Sequence, residues 1–466
     1  MTIKNLQHFI NGKWVDSESN SNSNYLENVN PADGRVLSLV PIANEKIVDQ
    51  AIKSAQDAFQ SWSHTTLETR AQILTKIGDL ILKYQEELVE LECLDTGKLQ
   101  SFAKMVDIPR SAHNFHFFAK FLTLQSINRY LEDSHGHEHF IKRYPLGVVT
   151  VIAPWNLPLY LLTWKIAPAL ITGNCVVAKP SELTPSTAHF LGKIFLEAGL
   201  PAGVCNIIHG TGPITGQALV DHPLIKAISF TGSTKTGKMI AQSAAKNLKK
   251  VALEMGGKNA AIIFTDCDIE KAVDTTLRSS FNNQGQICLC TSRILIQEEI
   301  YTSFKEKFIQ KAKQFPVGHL ISKEHAQKVN SYLELAKKLG GIILTGGVWK
   351  NNSLEPTVIE NLDNSCAFHQ EEIFGPVVGL IPFKNTQDAI HMANNSPYGL
   401  SACIWSTNQQ TIKEVSNALD VGMVWVNDWM IRDLRTPFGG VKESGFAKEG
   451  GMYAVDFFTT LKTITI

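Results

Sequence analysis

Val148-Val-Thr-Val-Ile-Ala153 begins a series of short apolar runs in the first half of the chain. The later runs are Cys175–Ala178, Val204–Ile208, Ala227–Phe230 and Val251–Leu253. The stretches between neighbouring runs have room for helices, and Thr184-Pro185 predicts the N-cap and the first residue of one of them. Strands that alternate with helices predict an α/β fold, in which a parallel sheet is covered by helices on both faces. Ligands bind such a sheet at the carboxyl ends of its strands.

The segments on either side extend this pattern. Upstream, Asn11-Gly12 between two apolar runs predicts a two-residue hairpin. Apolar residues at helical spacing predict two helices, around Val48–Phe59 and Ile73–Ile81. Downstream, a second α/β unit is expected from Ala260–Phe264 to about Trp425.

Two further segments predict β structure. The polar stretch Tyr130–His139 predicts a protruding hairpin, and the final run VDFFTTLKTITI, rich in β-branched residues, predicts a strand. An apolar terminal strand needs a pairing partner, and we expect a second subunit to supply it.

The composition is that of a globular protein without a charge bias. Hydrophobic residues make up 44% and charged residues 19% of the 466, which excludes a globally disordered chain. Lys+Arg and Asp+Glu both number 44, so the basic surplus of a nucleic-acid-binding protein is missing. The most apolar run, Leu157–Ile171, is interrupted by Lys165 and two prolines, and the N-terminus has no secretion signal. We expect a cytoplasmic protein without a membrane span.

The eight cysteines are scattered and form no C-x-x-C pair, so no metal site is expected. Two glycine-rich segments resemble nucleotide-binding loops without matching them. Gly210–Gly216 is one residue longer than the dinucleotide fingerprint and contains Pro213. Gly232–Lys238 lacks the hydroxyl that would hold magnesium, because Met239 follows it. The second segment still opens a helix after a strand, so its amides are suited to a pyrophosphate.

The motif Ser280-Phe-Asn-Asn-Gln-Gly-Gln-Ile-Cys288 places a cysteine shortly after a glycine turn, and Leu253-Glu254-Met-Gly-Gly-Lys258 precedes it. Taken alone, Cys288 suggests a packing residue and Glu254 a solvated surface group. Three more motifs stand in a fixed order with these: Pro154-Trp-Asn156, Phe230-Thr-Gly-Ser233 and Glu371-Glu-Ile-Phe-Gly-Pro376. Together the five motifs resemble the aldehyde dehydrogenase superfamily, from Phe9 to Ile466.

The resemblance implies an NAD-dependent oxidation of an aldehyde to a carboxylate. Cys288 matches the family's nucleophile, which forms a thiohemiacetal and then a thioester. The side-chain amide of Asn156 and the backbone N–H of Cys288 match the donors to the oxyanion. Glu254 matches the general base that activates the hydrolytic water.

The resemblance also implies the cofactor residues. Lys179 and Glu182 match ribose ligands, and a carboxylate there disfavours the 2′-phosphate of NADP, so NAD is expected. The remaining matches surround the pyrophosphate and nicotinamide: Trp155, Phe230, Gly232, Ser233, Glu372 and Phe374.

Three stretches resemble the 2-aminomuconate and 2-hydroxymuconate semialdehyde dehydrogenases of aromatic and tryptophan-type catabolism: Trp155–Trp164, Cys288–Arg293 and Ile431–Gly440. Their substrates carry a carboxylate remote from the aldehyde, and arginine binds a carboxylate in bidentate fashion. Arg110 and Arg432 match the subfamily's pocket, with Arg435 as a third candidate. The alternatives are that Arg110 faces solvent and that Arg432 pairs with Asp433.

The fold implied by the resemblance has three parts. These are a Rossmann-type NAD-binding domain (1–121 and 143–253), a second α/β catalytic domain (254–440) and a small β oligomerisation element (122–142 and 441–466). A homodimer or homotetramer acting on a small-molecule aldehyde is expected, with no nucleic acid or membrane partner. The loops around Phe315–Lys323 and before Asn351 are shorter than is usual in the family, which predicts trimmed surface loops.

Other functions stay open on the sequence. One is oxidation of a general aliphatic or amino-aldehyde, as in betaine-aldehyde dehydrogenases. A second is a non-catalytic structural protein on the same fold. A thiol hydrolase would need an imidazole beside Cys288, and no sequence signal places a histidine there. The choice between the amino and hydroxy muconate substrates is also open.

Overall fold

The computed structural model describes residues 4–17, 24–125 and 128–466. The helices, in chain order, are α1 (Glu45–Trp62), α2 (Leu67–Lys83), α3 (Gln85–Thr96), α4 (Gln100–Phe102), α5 (Ile108–Thr123), α6 (Pro158–Ile171), α7 (Ser186–Ala198), α8 (Gln217–Asp221), α9 (Thr234–Ala245), α10 (Ile269–Phe281), α11 (Tyr301–Ala312), α12 (Lys323–Lys338), α13 (Ala367–Gln370), α14 (Thr386–Asn394), α15 (Gln409–Ala418) and α16 (Gly451–Phe457). Two π-helical turns, Ala103–Asp107 and Gly212–Gly216, precede α5 and α8, and 3₁₀ turns occur at Asn282–Gly285 and Glu298–Ile300.

The strands are β1 (Lys4–Asn5), β2 (His8–Ile10), β3 (Lys13–Val15), β4 (Tyr25–Val29), β5 (Val36–Pro41), β6 (Arg129–Glu132), β7 (Glu138–Pro145), β8 (Val148–Ile152), β9 (Cys175–Lys179), β10 (Cys205–Ile207), β11 (Ile225–Thr231), β12 (Lys250–Glu254), β13 (Asn259–Ile263), β14 (Thr291–Gln297), β15 (Ile342–Thr345), β16 (Trp349–Lys350), β17 (Ser353–Leu354), β18 (Thr357–Glu360), β19 (Val377–Phe383), β20 (Tyr398–Gly399), β21 (Ser401–Trp405), β22 (Met423–Val426), β23 (Val441–Lys442), β24 (Gly445–Phe446) and β25 (Thr459–Thr465).

The five apolar runs predicted as strands form the centre of an eight-stranded sheet, ordered β24-β12-β11-β8-β9-β10-β2-β3. From β12 to β10 the pairing is parallel throughout. Numbered from β8, these strands follow the order 5-4-1-2-3, which is the Rossmann arrangement read from its other edge. Every residue of β8 and β9 is buried, and successive side chains point to opposite faces, so both faces are covered. The α/β prediction is confirmed.

The second α/β unit forms a seven-stranded sheet, ordered β15-β18-β19-β14-β13-β21-β22. Its strands are parallel except for β15 at one edge. The predicted start at Ala260–Phe264 and end near Trp425 agree with β13 and β22 within a residue or two. Its core has a Phe281, Phe304 and Phe308 cluster under β14.

The terminal strand pairs within its own chain, which corrects one expectation. β25 lies antiparallel to β7, from the pair Thr459 and Pro145 to the pair Thr465 and His139. The predicted hairpin Tyr130–His139 is present as β6 and β7, and the sheet order is β25-β7-β6. β25 is therefore an edge strand that already has one partner without a second subunit.

Local turn chemistry agrees with the sequence at the first hairpin. Asn11 and Gly12 have φ of +53° and +70°, and they join β2 to β3, as a type I′ turn requires. Thr184 was an expected helix cap, but α7 begins only at Ser186, whose N–H donates to Asp95 Oδ2 at 2.8 Å. A carboxylate from the end of α3 therefore replaces the local cap.

In the described part of the chain, none of the helices is both long enough and apolar enough to cross a membrane.

Candidate active site

The predicted site residues converge where β8 and β11 end side by side, which is the switch point of the sheet order. A cleft of 170 Å³ opens there, and we call it the central cleft. Seven of the predicted catalytic and cofactor residues line it: Trp155, Asn156, Gly232, Ser233, Cys288, Glu372 and Phe374. A larger surface groove of 880 Å³, between the segments 29–34 and 321–327, contains none of them.

The loop that carries Cys288 has a strained backbone. Asn283, Gln284 and Gly285 have φ of +51°, +58° and +69°, so three successive residues are left-handed. Such conformations are costly outside glycine, and they persist where surrounding contacts hold them. Asn259 Nδ2 holds the far side of the loop by donating to the carbonyl of Cys288 at 2.7 Å. The thiol is thereby presented from a rigid turn.

Asn156 follows β8 and lies against the same loop. Its Nδ2 donates to the carbonyl of Gln286 at 2.9 Å. Its own carbonyl accepts from Asn283 Nδ2 at 3.1 Å and from Lys98 Nζ at 3.0 Å. The amide predicted to face an oxyanion thus contacts the loop two residues from Cys288, the predicted nucleophile, and Asn156 is held from both sides.

Glu254 is the last residue of β12, and neither oxygen of its buried carboxyl has a hydrogen-bond partner among the described residues. An added Cβ on Gly439 would lie 2.4 Å from Glu254 Oε1, so only glycine leaves room for the carboxyl there. The buried pair of Lys165 and Glu449, with Nζ to Oε1 at 2.5 Å, is close enough to act on the Glu254 charge. Glu254 therefore occupies a buried, tightly closed position near an ion pair.

Burial disfavours the ionised form of both predicted reactive groups. The pKa of the Cys288 thiol is raised to about 12, chiefly by burial and also by the charges of Glu372 and Glu254, while the charge of Arg432 lowers it. Burial, followed by the Glu449 charge, raises the pKa of Glu254 well above its ordinary value. A carboxylate whose pKa is raised is a stronger base, which suits it to accept a proton.

Trp155 and Phe374 form one wall of the central cleft. Their rings meet edge to face at 5.3 Å, and the ring of His325 lies 5.3 Å from Trp155. Phe374 has φ of +62°, and its carbonyl accepts from His325 Nε2 at 2.7 Å. Burial lowers the pKa of His325 to about 4, so the ring is neutral. The hydrogen bond and the aromatic contacts hold Phe374 in its strained conformation.

Glu372 lies across the cleft against two glycines. Its Oε1 accepts from the N–H of Gly257 at 3.1 Å, and an added Cβ on Gly256 would lie 2.2 Å from Oε2. Burial raises the pKa of this carboxyl. The two glycines of the Leu253–Lys258 motif are thus explained by the close approach of Glu372.

The remaining predicted cofactor residues follow β9 and β11. Lys179 Nζ donates to Glu182 Oε2 at 3.3 Å, beyond the central cleft. Ser233 caps α9 by accepting from the N–H of Thr236 at 3.2 Å. An added Cβ on Gly232 would lie 2.4 Å from the buried ring of Phe230. The first turn of α9 therefore borders the cleft as an anion-binding helix terminus would.

The two predicted arginines lie together behind the cleft, around Tyr160. The Arg110 guanidinium lies 5.5 Å from the Tyr160 ring, and Arg432 Nη1 donates to its hydroxyl at 2.9 Å. Arg110 Nε and Nη2 are buried without a hydrogen-bond partner among the described residues. Asp433 pairs with the exposed Arg435, not with Arg432. The structure thus leaves Arg110 and Arg432 with donors directed into the protein.

No group of three or more His, Cys, Asp or Glu side chains that could hold a metal ion occurs among the residues described.

Comparison with known proteins gives the same picture as the site geometry. The model of the family described as "Aldehyde dehydrogenase family" matches residues 14–464. The chain belongs to the aldehyde dehydrogenase family. Among curated relatives, the human 2-aminomuconic semialdehyde dehydrogenase is 44% identical, with 99% of this chain and 98% of the relative covered. The 2-hydroxymuconic semialdehyde dehydrogenase of Pseudomonas sp. (strain CF600) is 42% identical, with 100% of each covered.

Solved aldehyde dehydrogenase structures confirm the fold. The NAD⁺ complex of the Bacillus cereus aldehyde dehydrogenase superposes with a TM-score of 0.96 at 37% identity, with 99% of this chain and 96% of that chain covered. The alignment with the human relative spans 482 positions, more than the 466 residues of this chain. That excess agrees with segments shorter than usual in the family, such as the direct run from Val317 to α12.

Several residues of this aldehyde dehydrogenase site were missed by sequence reasoning. They are Lys98, Tyr160, Lys165, His325 and Glu449. A usable signal existed for Lys165, because a lysine inside the apolar run Leu157–Ile171 needs a buried acid as partner. For the others the partners lie far apart in the chain, and only the fold brings them together.

Proposed function

We propose that the protein oxidises an aldehyde that carries a remote carboxylate, most specifically a 2-amino- or 2-hydroxymuconate semialdehyde, to the acid with NAD. The single observation that carries the proposal is the convergence of Cys288, Asn156 and Glu254 beside two arginines with inward donors. The relatives named as muconic semialdehyde dehydrogenases support the substrate class.

The chain's own residues account for each covalent step. The Cys288 sulfur adds to the aldehyde carbon and its proton passes to Glu254, while the carbonyl oxygen becomes an oxyanion facing Asn156 Nδ2 and the Cys288 N–H. Loss of the aldehyde hydrogen as hydride leaves a thioester on the sulfur. Glu254 releases that proton to solvent and then takes a proton from water, whose oxygen attacks the thioester. The second proton passes from Glu254 to the departing sulfur, so the carboxylic acid is released and the thiol is restored.

The residues present fit NAD. The cleft at the switch point is bordered by the N-terminal turn of α9, and Thr231 Oγ1 is buried there without a hydrogen-bond partner among the described residues. When bound, NAD supplies the hydride acceptor. Glu182 beside Lys179 would bind ribose hydroxyls and repel a 2′-phosphate, which favours NAD over NADP. Glu372 and Phe374 would position the nicotinamide end, and Trp155 and Ser233 the centre.

Arg110 and Arg432 are proposed to bind the substrate carboxylate. Tyr160 orients both guanidinium groups, and the charge of Arg432 already acts on Cys288 and Glu254, so the pocket lies close to the nucleophile. A buried guanidinium with unused N–H donors is costly until an anion satisfies it.

The domain division expected from the sequence, with an NAD-binding domain, a catalytic domain and a β element for oligomerisation, is also a proposal. Its support is that Tyr130, Leu461 and Ile466 on the three-stranded sheet are more than half exposed. A dimer or tetramer would cover them. All eight cysteines are unpaired, which supports the proposed reducing, cytoplasmic location.

The covalent mechanism is tested with two variants. Cys288→Ser should nearly abolish NADH formation, because an alcohol is a far weaker nucleophile than a thiolate. Glu254→Gln should release NADH in one turnover and then retain the acyl group, visible as an added mass on the intact protein. NADH release with an unmodified mass would contradict the role assigned to Glu254.

The substrate is tested by NADH formation with a panel of aldehydes. The proposal expects the highest kcat/KM with 2-hydroxymuconate semialdehyde or its 2-amino counterpart. A preference for simple aliphatic aldehydes or for betaine aldehyde would favour the general or amino-aldehyde alternative. No reduction of NAD with any aldehyde by the folded protein would favour a non-catalytic role.

A further inference from the structure

A fully buried ionic cluster lies directly behind Asn156, and no part of the proposed mechanism uses it. Lys98 is the centre of this cluster. Its side chain has no exposed surface, and its Nζ donates to Asp107 and lies 3.5 Å from Glu92 Oε1. The same Nζ donates to the backbone carbonyl of Asn156 at 3.0 Å.

The contact between Lys98 and Asn156 is one of two sets of contacts that hold Asn156 in place. Asn283 Nδ2, from the strained nucleophile loop, donates to the same carbonyl at 3.1 Å. The Asn156 side chain reaches the carbonyl of Gln286 on that loop at 2.9 Å. Asn156 is therefore fixed from the loop on one side and from Lys98 on the other.

The cluster also connects Asn156 to the helix that carries Arg110. Asp107 ends the π-helical turn Ala103–Asp107 and stands at the N-terminal end of α5, one helical turn before Arg110. π-helical turns are rare overall, but those that occur often lie at functional sites. The extra residue in such a turn redirects a side chain. Here Asp107 faces Lys98, while Arg110 faces Tyr160.

A contribution to the stability of the fold does not explain why these charged groups are buried. Replacing a buried ionic group by apolar residues of similar volume is often neutral or stabilising, because desolvation offsets the attraction. Two carboxyls surround one ammonium here, and both oxygens of Glu92 are buried without a hydrogen-bond partner among the described residues. The cluster is therefore costly, and the feature it serves directly is the Asn156 carbonyl.

We propose that Lys98 is a positioning residue for the reaction: it holds the Asn156 backbone so that the side-chain amide stays directed at the oxyanion formed on Cys288. The inference rests on the proposed function, because it takes Asn156 as the oxyanion donor. Lys98 itself touches neither substrate nor cofactor. Its effect is confined to steps in which negative charge develops on the carbonyl oxygen.

The test compares Lys98→Met with a matched control, Lys249→Met. Lys249 is also buried, and its Nζ donates to the carbonyls of Val220 and His222 at 2.5 and 2.7 Å, away from the site. Both variants lose one buried ammonium and the hydrogen bonds that it donates to backbone carbonyls, and Lys98→Met also removes the partner of Asp107 and Glu92. We expect Lys98→Met to lower kcat by about tenfold or more, since loss of an oxyanion donor costs about 10²–10³. KM and the affinity for NAD should change less than about threefold, because the oxyanion exists only after binding.

The control should lower the melting temperature while leaving kcat within about twofold of the parent. If Lys98→Met loses no more kcat than Lys249→Met, the inference is wrong. If KM rises in parallel with the loss of kcat, Lys98 acts on substrate binding and the inference is equally wrong.

A second comparison applies if Lys98→Met folds poorly. Lys98→Met/Asp107→Asn removes the lysine together with its main counter-charge, and it should show the same selective loss of kcat. In an Asn156→Ala background, the added Lys98→Met change should alter the residual rate by less than about twofold, because its target is gone. A full additive loss in that background would overturn the inference. Failure of the proposed function is distinguishable, since the parent protein would then reduce no NAD with any aldehyde.

Discussion

At the scale of single residues, the proposed reaction uses the ionised forms of Cys288 and Glu254, and burial disfavours both of these forms. The pKa of Cys288 and the pKa of Glu254 are both raised, chiefly by burial, and the reactive forms are the thiolate and the carboxylate. A raised pKa means that the reactive fraction increases with pH over a higher range than for a free thiol or carboxyl.

The pH dependence of kcat/KM follows from these shifts. We expect kcat/KM to rise with pH across the neutral and mildly alkaline range, because both pKa values are raised. Cys290→Ala is the matched control, because this second thiol is buried two residues from the nucleophile and should not alter the rise. A profile that is flat across this range would show that neither proton limits the reaction.

The arginine pair predicts a substrate-specific loss. Arg110→Ala and Arg432→Ala should each raise KM for a carboxylate-bearing aldehyde by about tenfold or more, since a hydrogen bond to a charged group contributes about 1.5–3 kcal/mol. A simple aldehyde should be affected much less. Arg435→Ala is the control, because Arg435 is exposed and paired with Asp433. Equal losses with both aldehydes would contradict the carboxylate assignment.

Residues whose neighbours in the chain form a motif could be predicted from the sequence, and the others could not. Cys288, Glu254 and Asn156 each stand in a local motif, and the structure brings all three to one place. Lys98 and Glu449 act through partners more than fifty and two hundred positions away, at Asn156 and Lys165. A local motif carries no information about such contacts.

At the scale of elements, the turn before Cys288 leaves no room for a side chain at Gly285. Gly285 has φ of +69°, and an added Cβ would lie 2.2 Å from the carbonyl oxygen of Gly375. The nucleophile loop and the loop after Glu372 therefore touch backbone to backbone at this glycine.

Gly285→Ala should consequently lower activity strongly by separating these two loops. A destabilisation of about 1–3 kcal/mol is also expected from the left-handed strain and the clash. Gly136→Ala is a control for the backbone term, because Gly136 has φ of +82° with open space around it. It should lower the melting temperature slightly and leave kcat unchanged. A Gly285→Ala enzyme with parental kcat would show that the contact is dispensable.

Strand positions were predictable because short apolar runs, rich in β-branched residues and bounded by turn residues, are typical of strands buried in a sheet. The start of α7 was not predictable, because Asp95, from the end of α3, caps this helix in place of Thr184. The predicted partner of β25 was also wrong. A strand pattern does not specify which strand it pairs with, and β7 lies more than three hundred residues earlier in the chain.

At the scale of the whole molecule, buried histidines link the fold to pH. Burial lowers the pKa of His8 to about 4, and that of the neighbouring His209 well below its ordinary value. Unfolded chains protonate histidine near pH 6.5. Between about pH 6.5 and about pH 4 the unfolded state therefore binds protons that the folded state does not, and this contribution to stability falls as pH falls. Buried carboxyls with raised pKa, such as Asp95 at about 6, act in the opposite direction.

A single substitution isolates the histidine contribution. His8 Nδ1 accepts from the N–H of His209 at 3.1 Å, and asparagine offers an acceptor at a similar position without a titrating ring. The stability advantage of the parent over His8→Asn should shrink as pH falls, by about 1.4 kcal/mol per pH unit. The difference in unfolding midpoints from pH 7 to pH 4.5 measures it. A difference independent of pH would show that the pKa of His8 is the same in the folded and unfolded states.

The sheet made by β6, β7 and β25 forms within one chain and leaves β25 as an edge strand. Because β25 is already bonded to β7, its position does not depend on a neighbouring molecule, yet it exposes a row of unpaired amides and carbonyls along seven residues. Such a row is a template for pairing with another chain, so association into larger particles should become faster as the protein is concentrated.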